Sequence, residues 1–297
     1  MHNLAIVTVI IPCHNRIEFL QDCLTSVAKQ TYASVQVIVV DDASQEGSIE
    51  KAVASVPWRF PLPVKLLRSE IRLGPGLARE MGRQEAKGDY VAYLDSDDIW
   101  HKDFLLEQVK NLQTHPGAGM SYCIAIQFAK LPILGTEPIF YRSDEKFDQI
   151  LPELTQKRHW ATGGCLWTQE AVLKIGIWSK SWILEDVAYD FIAGCNEIKI
   201  SHLAKVLCYA RRGIKTDHVT GMEQVQFWFH CWPAYQMMIE SLYLSGKILD
   251  PLLRGWMTRQ LYREGVRMVS LGVPEKAEPF LHAASKIHME FLQSHDA

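Results

Sequence analysis

The sequence lacks a strong excess of charge of either sign, which excludes one broad class of partner. Its 31 basic residues are nearly balanced by 34 acidic residues, so the formal net charge is −3. Proteins that bind nucleic acid through its phosphate backbone generally carry a strongly basic surface. Hydrophobic residues make up 48% of the chain and charged residues 22%, as in an ordinary globular protein. We therefore expect no nucleic-acid partner.

A long apolar run is also missing. The N-terminal stretch Leu4–Ile11 is apolar except for Thr8, but a helix that crosses a bilayer needs about 20 apolar residues. The stretch also lacks the basic segment that begins a secretory signal. We therefore expect a buried first strand and no transmembrane segment. These features predict a cytoplasmic protein, and they leave peripheral contact with the inner face of a membrane as an open alternative.

Paired cysteine spacing is absent as well. The seven cysteines are odd in number, and none belongs to a C-x-x-C motif. This pattern argues against a disulfide framework and favours a reducing compartment. We expect the cysteines to be buried as small hydrophobic residues. Nothing in the chain resembles a zinc cluster, a Walker loop or a Ser-His-Asp triad.

The first 115 residues do show a clear alternation of strand and helix patterns. The segments AIVTVIIP, VQVIVVDDAS, PVKLLRS and DYVAYLDSDD are apolar runs, and the stretches between them repeat apolar residues at helical spacing. Such alternation is typical of a parallel sheet covered on both faces, which binds ligands at the carboxyl ends of its strands. The unusual polar residues follow those ends, at Pro12–Asn15, Asp41–Asp42 and Asp95–Asp98.

The remainder of the chain changes character near residue 220. Residues 117–220 mix strand, turn and helix patterns, whereas the pattern from about residue 221 is entirely helical. We predict an α/β fold with a mostly parallel sheet flanked by helices, followed by a C-terminal all-helical extension. The last two helices of the extension should form a hairpin.

An acidic cluster ends the fourth predicted strand, where Asp95, Asp97 and Asp98 surround Ser96. Like charges this close repel one another, so a cation is an obvious compensating group. Carboxylates suit Mg²⁺ or Mn²⁺, and such an ion is usually shared with substrate phosphates. The alternative is a helix N-cap, but one cap needs only one acid. His218 could be a third metal ligand or an exposed loop histidine.

Three further positions each allow two interpretations. Asp41 and Asp42 could accept hydrogen bonds from a nucleotide or form an Asx-turn. Arg79 replaces the third glycine of an incomplete dinucleotide-binding pattern, and could face a base, a phosphate or solvent. Glu185 and Asp186 open a predicted helix. They could complement the helix dipole, or one of them could act as a general base.

These residues together resemble a family 2 glycosyltransferase with a GT-A fold. The resemblance covers roughly residues 5–215, and the matching segments are VTVIIPCHNRIEFLQDCLTSVAKQTYASVQVIVVDDAS, RLGPGLAREMGRQEAKGDYVAYLDSDDIW, GGCLWTQEAVLKIG and LEDVAYDFIAGCNEIKISHL. It implies inverting transfer of a sugar from a nucleotide-sugar donor, most commonly a UDP-sugar. The acceptor would be a hydroxyl group of a glycan or a lipid-linked acceptor, as in polysaccharide biosynthesis.

The resemblance also implies roles for individual residues and domains. A catalytic domain would span 1–220, with a donor half at about 1–115 and an acceptor half at about 116–220, and the helical extension would span 221–297. Asp186 would be the general base, and Glu185 would lie beside the donor sugar or acceptor. A divalent cation, Mg²⁺ or Mn²⁺, would bridge the acidic cluster and the donor diphosphate as a Lewis acid. The implied nucleotide-sugar ligands are Pro12, His14, Asn15, Asp42, Arg79 and Asp95, and the implied metal ligands are Asp95 and Asp97. From their positions in the sequence, we add Ser96 as a nucleotide-sugar ligand and His218 as a candidate third metal ligand.

Two other functions remain possible at the level of sequence. One is a catalytically inactive module that binds sugar nucleotides. The other is an Asp-based phosphotransferase, although such enzymes usually carry the Asp-x-Asp motif on the first strand and not the fourth. The aromatic-rich extension could pack on the catalytic domain, form a homodimer or touch a membrane.

Overall fold

The structure is a computed structural model that describes residues 4–45, 47–60, 63–128, 141–142, 145–211 and 228–295. For residues 141–142 and 291–295 only the backbone is described. His218, one of the three predicted metal ligands, lies outside the described residues.

The strands form one mixed sheet. In chain order they are β1 (Val7–Cys13), β2 (Val35–Asp42), β3 (Lys65–Ser69), β4 (Tyr90–Tyr93), β5 (Ile99–Trp100), β6 (Met120–Phe128), β7 (Tyr141–Arg142), β8 (Cys165–Thr168) and β9 (Ile200–Arg211). The sheet order is β3-β2-β1-β4-β8-β6-β9-β5, and β7 pairs with β6. Strands β1 to β4 are parallel, as are β6 and β9, whereas β8 runs antiparallel to both of its neighbours. The predicted α/β fold with a mostly parallel sheet is confirmed.

Helices cover both faces of this sheet. They are α1 (Ile17–Ala28), α2 (Ser48–Ala54), α3 (Pro75–Gln84), α4 (Phe104–Thr114), α5 (Gln169–Ile175), α6 (Glu185–Cys195), α7 (Trp232–Leu244), α8 (Pro251–Ser270) and α9 (Glu278–His295). Short 3-10 turns lie at Glu153–Thr155, Thr162–Gly164, Lys247–Leu249 and Pro274–Lys276.

The alternating side chains of β1 explain why helices cover both faces of the sheet. Val9 and Ile11 belong to one apolar cluster, which includes α1, α2 and α4, whereas Ile10 belongs to the cluster that includes α5 and α6. All three side chains are fully buried. Because successive strand residues point to opposite faces, a continuously apolar strand must be covered on both sides.

The extension shares the second of these clusters. Tyr235, Met238 and Phe280 are buried in the same apolar core as α6. Trp256 of α8 stacks on Phe191 of α6, with 5.4 Å between the ring centroids. Helices α8 and α9 pack against each other as the predicted hairpin. No helix within the described ranges is both long enough and apolar enough to span a bilayer.

The seven cysteines are all free and buried. Burial raises the pKa of every one of these thiols, to about 11 for Cys13 and to about 12 for Cys123 and Cys231. They therefore pack as small hydrophobic residues, as the sequence predicted.

The segment after the acidic cluster differs from the sequence-based expectation. A two-residue strand, β5, follows Asp98 and pairs with β9. Helix α4 starts only at Phe104, and Asp103 occupies its N-cap position. Asp97 and Asp98 therefore do not cap this helix, and the N-cap interpretation of the acidic cluster is wrong.

Candidate active site

A cavity of about 300 Å³ opens at the carboxyl ends of β1, β2 and β4. The N-terminus of α6 and the end of β9 close its other side. This is the edge at which parallel α/β sheets bind ligands. The lining residues are Pro12, Cys13, His14, Arg16, Asp42, Arg72, Gly74, Pro75, Ala78, Arg79, Asp95, Ser96, Asp97, Asp98, Trp182, Glu185, Ala210 and Arg211.

Arginines from other parts of the chain contact each acid of the cluster after β4, and two of these arginines form ion pairs with its carboxylates. Arg79 donates to Asp95 Oδ1 at 2.6 Å, and Arg16 forms an ion pair with Asp97. The Arg211 backbone N–H donates to Asp98 Oδ1 at 2.9 Å, and its side chain donates to the Asp97 carbonyl at 3.0 Å. The guanidinium groups of Arg16 and Arg79 therefore offset part of the repulsion for which the sequence suggested a metal ion. The sequence analysis did not predict Arg16 or Arg211 as site residues.

The donor set is compatible with a divalent ion that the substrate helps to hold. Asp95 and Asp97 provide hard carboxylate oxygens on the cavity wall. The described part of the chain contains no group of three or more His, Cys, Asp or Glu residues arranged around a common point. Mg²⁺ commonly binds through one or two carboxylates and completes its shell with substrate phosphates and water. Two aspartates therefore suffice for such a site.

Asp42 fixes the loop that leads into α3. Its two carboxylate oxygens accept the backbone N–H groups of Leu73 at 2.5 Å and Gly74 at 2.9 Å. Burial raises the pKa of Asp42, and these two hydrogen bonds act in the opposite direction. His14 Nδ1 lies 2.6 Å from the Asp42 carbonyl. Asp42 and His14 thus form one end of the cavity.

Asp41, and not Asp42, holds the turn that follows β2, through a hydrogen bond three residues along the chain and not the two of an Asx-turn. The Ser44 N–H donates to Asp41 Oδ1 at 2.8 Å, and Arg68 forms an ion pair with the same carboxylate. Asn15 lies beside this turn, where its N–H donates to Ser44 Oγ at 2.9 Å. In the part of the chain that the structure describes, Asn15 does not line the cavity.

Arg79 is a buried bridge and not a solvated side chain. Its guanidinium donates to Asp95 at 2.6 Å and to Glu185 Oε1 at 2.9 Å, and it lies 4.9 Å above the Trp178 ring. Burial alone would lower the pKa of Arg79, but the two carboxylates outweigh burial and raise it. The arginine therefore stays charged and connects the acidic cluster to α6.

Glu185 and Asp186 have pKa values that are shifted in opposite directions although the two residues are adjacent. Burial raises the pKa of Glu185 to about 7, and the negative charge of Asp186 adds to this increase. Burial also acts to raise the pKa of Asp186, but Arg158, Arg79 and the hydrogen bonds to its carboxylate together outweigh burial, so this pKa is lowered overall. Adjacent carboxyl groups whose pKa values are driven apart are typical of acid–base sites.

Backbone strain is concentrated around this cavity. Asn15, Ala43 and Leu184 have φ values of 56°, 55° and 63°, which are unusual for residues other than glycine. Leu184 immediately precedes Glu185 and occupies the N-cap position of α6. Such conformations cost about 1 kcal/mol or more each and are frequent at functional sites.

An aromatic side chain covers one side of the cavity. Trp182 lies in the loop before α6, with Arg72 4.9 Å above its ring and the His230 ring 5.3 Å away. His230 precedes α7, so the helical extension contacts a residue of the cavity wall. A nearby hydrogen bond adds to this contact, since the Ala234 backbone N–H donates to Ser181 Oγ at 2.7 Å. The sequence pattern gave no sign of Trp182.

The structure thus brings most of the predicted site residues to one cavity: Pro12, His14, Asp42, Arg79, Asp95, Ser96, Asp97 and Glu185. Asp186 follows Glu185 on α6 but faces Arg158. Chemically, the cavity offers cations and carboxylates for a phosphorylated ligand at one end and Glu185, with its raised pKa, at the other.

Curated sequence relatives match only part of the chain. It is 36% identical over 112 residues to the amylovoran biosynthesis glycosyltransferase AmsB of Erwinia amylovora, a match that covers 38% of this chain and 37% of that protein. It is 35% identical over 104 residues to the UDP-Glc:alpha-D-GlcNAc-diphosphoundecaprenol beta-1,3-glucosyltransferase WfgD of Escherichia coli, covering 35% and 40%. The matches therefore span about two fifths of these relatives' lengths.

Solved structures resemble nearly the whole chain. S. aureus TarS 1–349 in complex with UDP-GlcNAc superimposes with a TM-score of 0.62 at 16% identity, covering 94% of this chain and 91% of that one. The mannosyltransferase PcManGT from Pyrobaculum calidifontis, with GDP-Man and Mn²⁺, gives a TM-score of 0.58 at 16% identity, covering 98% and 79%. At these identities the similarity is one of fold.

The sequence model described as Glycosyl transferase family 2 matches residues 8–174. This segment contains all but the first residue of β1, together with β2, β4, the acidic cluster and Arg79. Because it makes up more than half of the chain, the protein belongs to glycosyl transferase family 2.

Proposed function

We propose that this protein is an inverting glycosyltransferase that moves a sugar from a UDP-sugar to a hydroxyl group of a glycan or lipid-linked acceptor. The observation that carries the proposal is a single cavity that joins Asp95 and Asp97 to Glu185, with Asp186 next along α6. WfgD is named for a UDP-Glc donor and a diphosphoundecaprenol-linked acceptor, and TarS was solved with UDP-GlcNAc. These names favour UDP, whereas PcManGT carries GDP-Man.

The proposed parts of the chain contribute to different walls of the cavity. The donor half, about 1–115, supplies the ends of β1, β2 and β4, and the acceptor half, about 116–220, supplies the N-terminus of α6. The extension, 221–297, supports the wall at Trp182 through His230.

The nucleotide is proposed to lie across the ends of β1 and β2. Pro12, His14 and Asp42 would contact the base, with Asn15 holding the neighbouring turn. Asp95 and Ser96 would contact the ribose. The diphosphate would extend toward Asp97, where Arg16 and Arg211 provide positive charge on the cavity wall. When bound, a divalent ion would offset the negative charge that develops on the departing diphosphate.

The transfer is proposed to occur in one displacement. The acceptor hydroxyl oxygen forms a bond to the anomeric carbon while the bond from that carbon to the diphosphate oxygen breaks, and the electron pair leaves with the UDP. Asp186 takes the hydroxyl proton. Attack from the face opposite the leaving group inverts the anomeric configuration. Glu185, beside Asp186, would contact the donor sugar or the acceptor.

A donor panel tests this function directly. UDP release should be measured from UDP-glucose, UDP-GlcNAc and GDP-mannose, with Mn²⁺ or with EDTA. We expect metal-dependent release from one UDP-sugar, and Asp186→Asn should reduce it about 100-fold or more while UDP affinity is nearly unchanged. Equal losses of affinity and turnover would place Asp186 in a structural role.

The same panel separates catalysis from simple binding. A catalytically inactive sugar-nucleotide module would bind a UDP-sugar in calorimetry without releasing UDP in the presence of Mn²⁺ or Mg²⁺. That result would overturn the proposed activity and leave a binding function.

We also propose a cytoplasmic location with peripheral contact at the inner face of an anionic membrane that carries the acceptor. The unpaired state of all seven cysteines supports a reducing compartment. The support for membrane contact is the outer face of α8, where Tyr262, Val266 and Val269 are exposed at spacings of four and three residues. Arg259 and Arg263 flank them, and the helix's only acid, Glu264, is buried. Exposed apolar and basic residues on one helix face favour anionic lipid.

Vesicle flotation tests this contact. The wild-type protein should float with phosphatidylglycerol vesicles and not with phosphatidylcholine vesicles, and Tyr262→Ser with Val266→Ser should abolish flotation. Met289→Ser on α9 is a matched control, because it removes an exposed apolar residue elsewhere. A homodimer that is lost in the α8 variant by light scattering, without flotation, would assign this face to a second copy instead.

A further inference from the structure

Two neighbouring acids at the start of α6 are held by two different arginines. Glu185 pairs with Arg79 and lines the donor cavity, whereas Asp186 pairs with Arg158. Arg158 lies in the segment before β8, outside the motifs that mark the site in the sequence.

Arg158 uses each of its nitrogens on this part of the structure. Its Nε donates to Asp190 Oδ2 at 2.7 Å, one terminal nitrogen forms an ion pair with Asp186 Oδ2, and the other donates to Thr162 Oγ1 at 3.2 Å. Only 13% of its side chain is exposed. Such a planar, three-way arrangement is specific to arginine, because lysine offers a single point charge.

Asp190 anchors this arginine. It is four residues after Asp186 on α6, and its side chain is 3% exposed. The Trp160 indole N–H donates to the same oxygen, Asp190 Oδ2, at 2.8 Å. Two acids four residues apart on a helix repel each other unless a cation lies between them. Arg158 is that cation.

We propose that Arg158 is a positioning residue that fixes the Asp186 carboxylate so that Oδ1 receives the proton of the acceptor hydroxyl. This proposal rests on the proposed glycosyltransferase function and on Asp186 as its base.

The hydrogen bonds of Asp186 carry the assignment to Oδ1. A carboxylate offers about four acceptor positions, two on each oxygen. Arg158 and Thr162 occupy both positions on Oδ2, and the Val187 N–H, at 2.8 Å, occupies one on Oδ1. Within the described structure, the remaining position is therefore on Oδ1. The side chain is 27% exposed, so an acceptor can reach it.

The charged groups around Asp186 favour its ionised form, which a proton acceptor requires. The charged groups that face Asp186 are its neighbour Glu185, Arg79 from α3, Arg158, and Asp190 one turn further on α6. The two arginines keep Asp186 ionised despite burial, and Arg158 has the larger effect. Loss of Arg158 would leave Asp186 and Asp190 without their shared cation, and the pKa of Asp186 would rise.

The test compares Arg158→Gln and Arg158→Lys by the pH dependence of UDP release. The probe is UDP-glucose or UDP-GlcNAc, whichever the wild-type protein hydrolyses, with water as acceptor. In Arg158→Gln the acidic limb of kcat should move upward by about 1 to 3 pH units, because Asp186 loses its adjacent cation. In Arg158→Lys the limb should stay near its wild-type position while kcat falls about tenfold or more, since the charge remains but the fixed geometry is lost. UDP affinity should change little in both.

Arg83→Gln is the matched control, because Arg83 is 15% exposed and forms an ion pair with Glu80 away from the cavity. It should lower the melting temperature without moving the pH profile. If Arg158→Gln does not fold, Asp190→Asn removes the anchor instead and should lower kcat with UDP affinity preserved. An unmoved acidic limb in Arg158→Gln, or wild-type kcat in Arg158→Lys, would overturn the positioning role. Wild-type turnover in Asp186→Asn would instead overturn the choice of base.

Discussion

Asp97 is the residue at which metal dependence can be tested most directly. It lies on the cavity wall in an ion pair with Arg16, and a neutral amide is a weaker ligand for a hard cation than a carboxylate. Asp97→Asn should reduce the Mn²⁺-dependent affinity for a UDP-sugar about tenfold or more in calorimetry. Asp103→Asn, an acid of the following segment outside the cavity, should not. If neither EDTA nor Asp97→Asn changes the affinity, no metal site exists at this cluster.

Glu185 should make the folded protein less stable as pH rises, which is the opposite of the usual effect of a carboxyl group. Its pKa is raised from 4.5 to about 7 in the folded protein, so the folded state binds more protons than the unfolded state between these values. The free energy of unfolding therefore falls as pH rises from about 4.5 to 7. Glu185→Gln removes this titration. The melting temperature of Glu185→Gln minus that of the wild type should therefore be larger at pH 8 than at pH 5. A difference that does not change with pH would contradict the raised pKa of Glu185.

Only some of the site residues could be predicted from the sequence, because many of the contacting residues are far apart along the chain. The carboxylates follow strands that the apolar pattern identifies, so their common edge could be inferred. Their arginine partners could not. Arg16 and Asp97 are 81 residues apart, and Arg79 and Glu185 are 106 apart. Such pairings depend on how distant helices and loops are arranged in three dimensions, which has no local sequence signal.

Among the secondary-structure elements, α3 controls the position of Arg79. Its second residue, Gly76, packs so closely on the loop before α6 that a Cβ would lie 2.0 Å from the Ser179 carbonyl oxygen. Gly76→Ala should therefore displace α3 and destabilise the protein by about 1 to 3 kcal/mol in urea denaturation. It should also weaken UDP-sugar binding, because Arg79 would move from between Asp95 and Glu185.

Gly117→Ala is the control for this prediction. A Cβ there has no neighbour within 4 Å among the described residues, so the change should leave both stability and binding nearly unchanged. Equal effects of the two alanine substitutions would show that the close contact at Ser179 does not determine the loss.

Strands with long apolar runs were predicted from the sequence, whereas the two-residue strand β5 was not. Strands β1 and β2 are buried along their whole length, and mostly apolar runs of seven or eight residues that are rich in valine and isoleucine are typical of buried strands. Strand β5 has two residues, too few for any period, and its pairing with β9 depends on a segment more than a hundred residues away. Tertiary context decides such elements.

For the molecule as a whole, the extension is a structural part of the fold. Its buried Tyr235, Met238 and Phe280 belong to the same core as α6. Truncation of residues 221–297 would expose that apolar surface, so we expect loss of soluble expression or of cooperative melting. A truncated protein that stays soluble, melts cooperatively and binds UDP normally would show that residues 1–220 fold alone.

The burial of all seven thiols makes the protein a convenient starting point for site-specific spectroscopy. Thiol reagents attack the thiolate, and burial keeps each native cysteine protonated and covered. One cysteine introduced at an exposed position, such as Leu249 before α8, should therefore react with maleimide dyes far faster than any native thiol. A single fluorophore could then report on the extension without prior replacement of seven core residues.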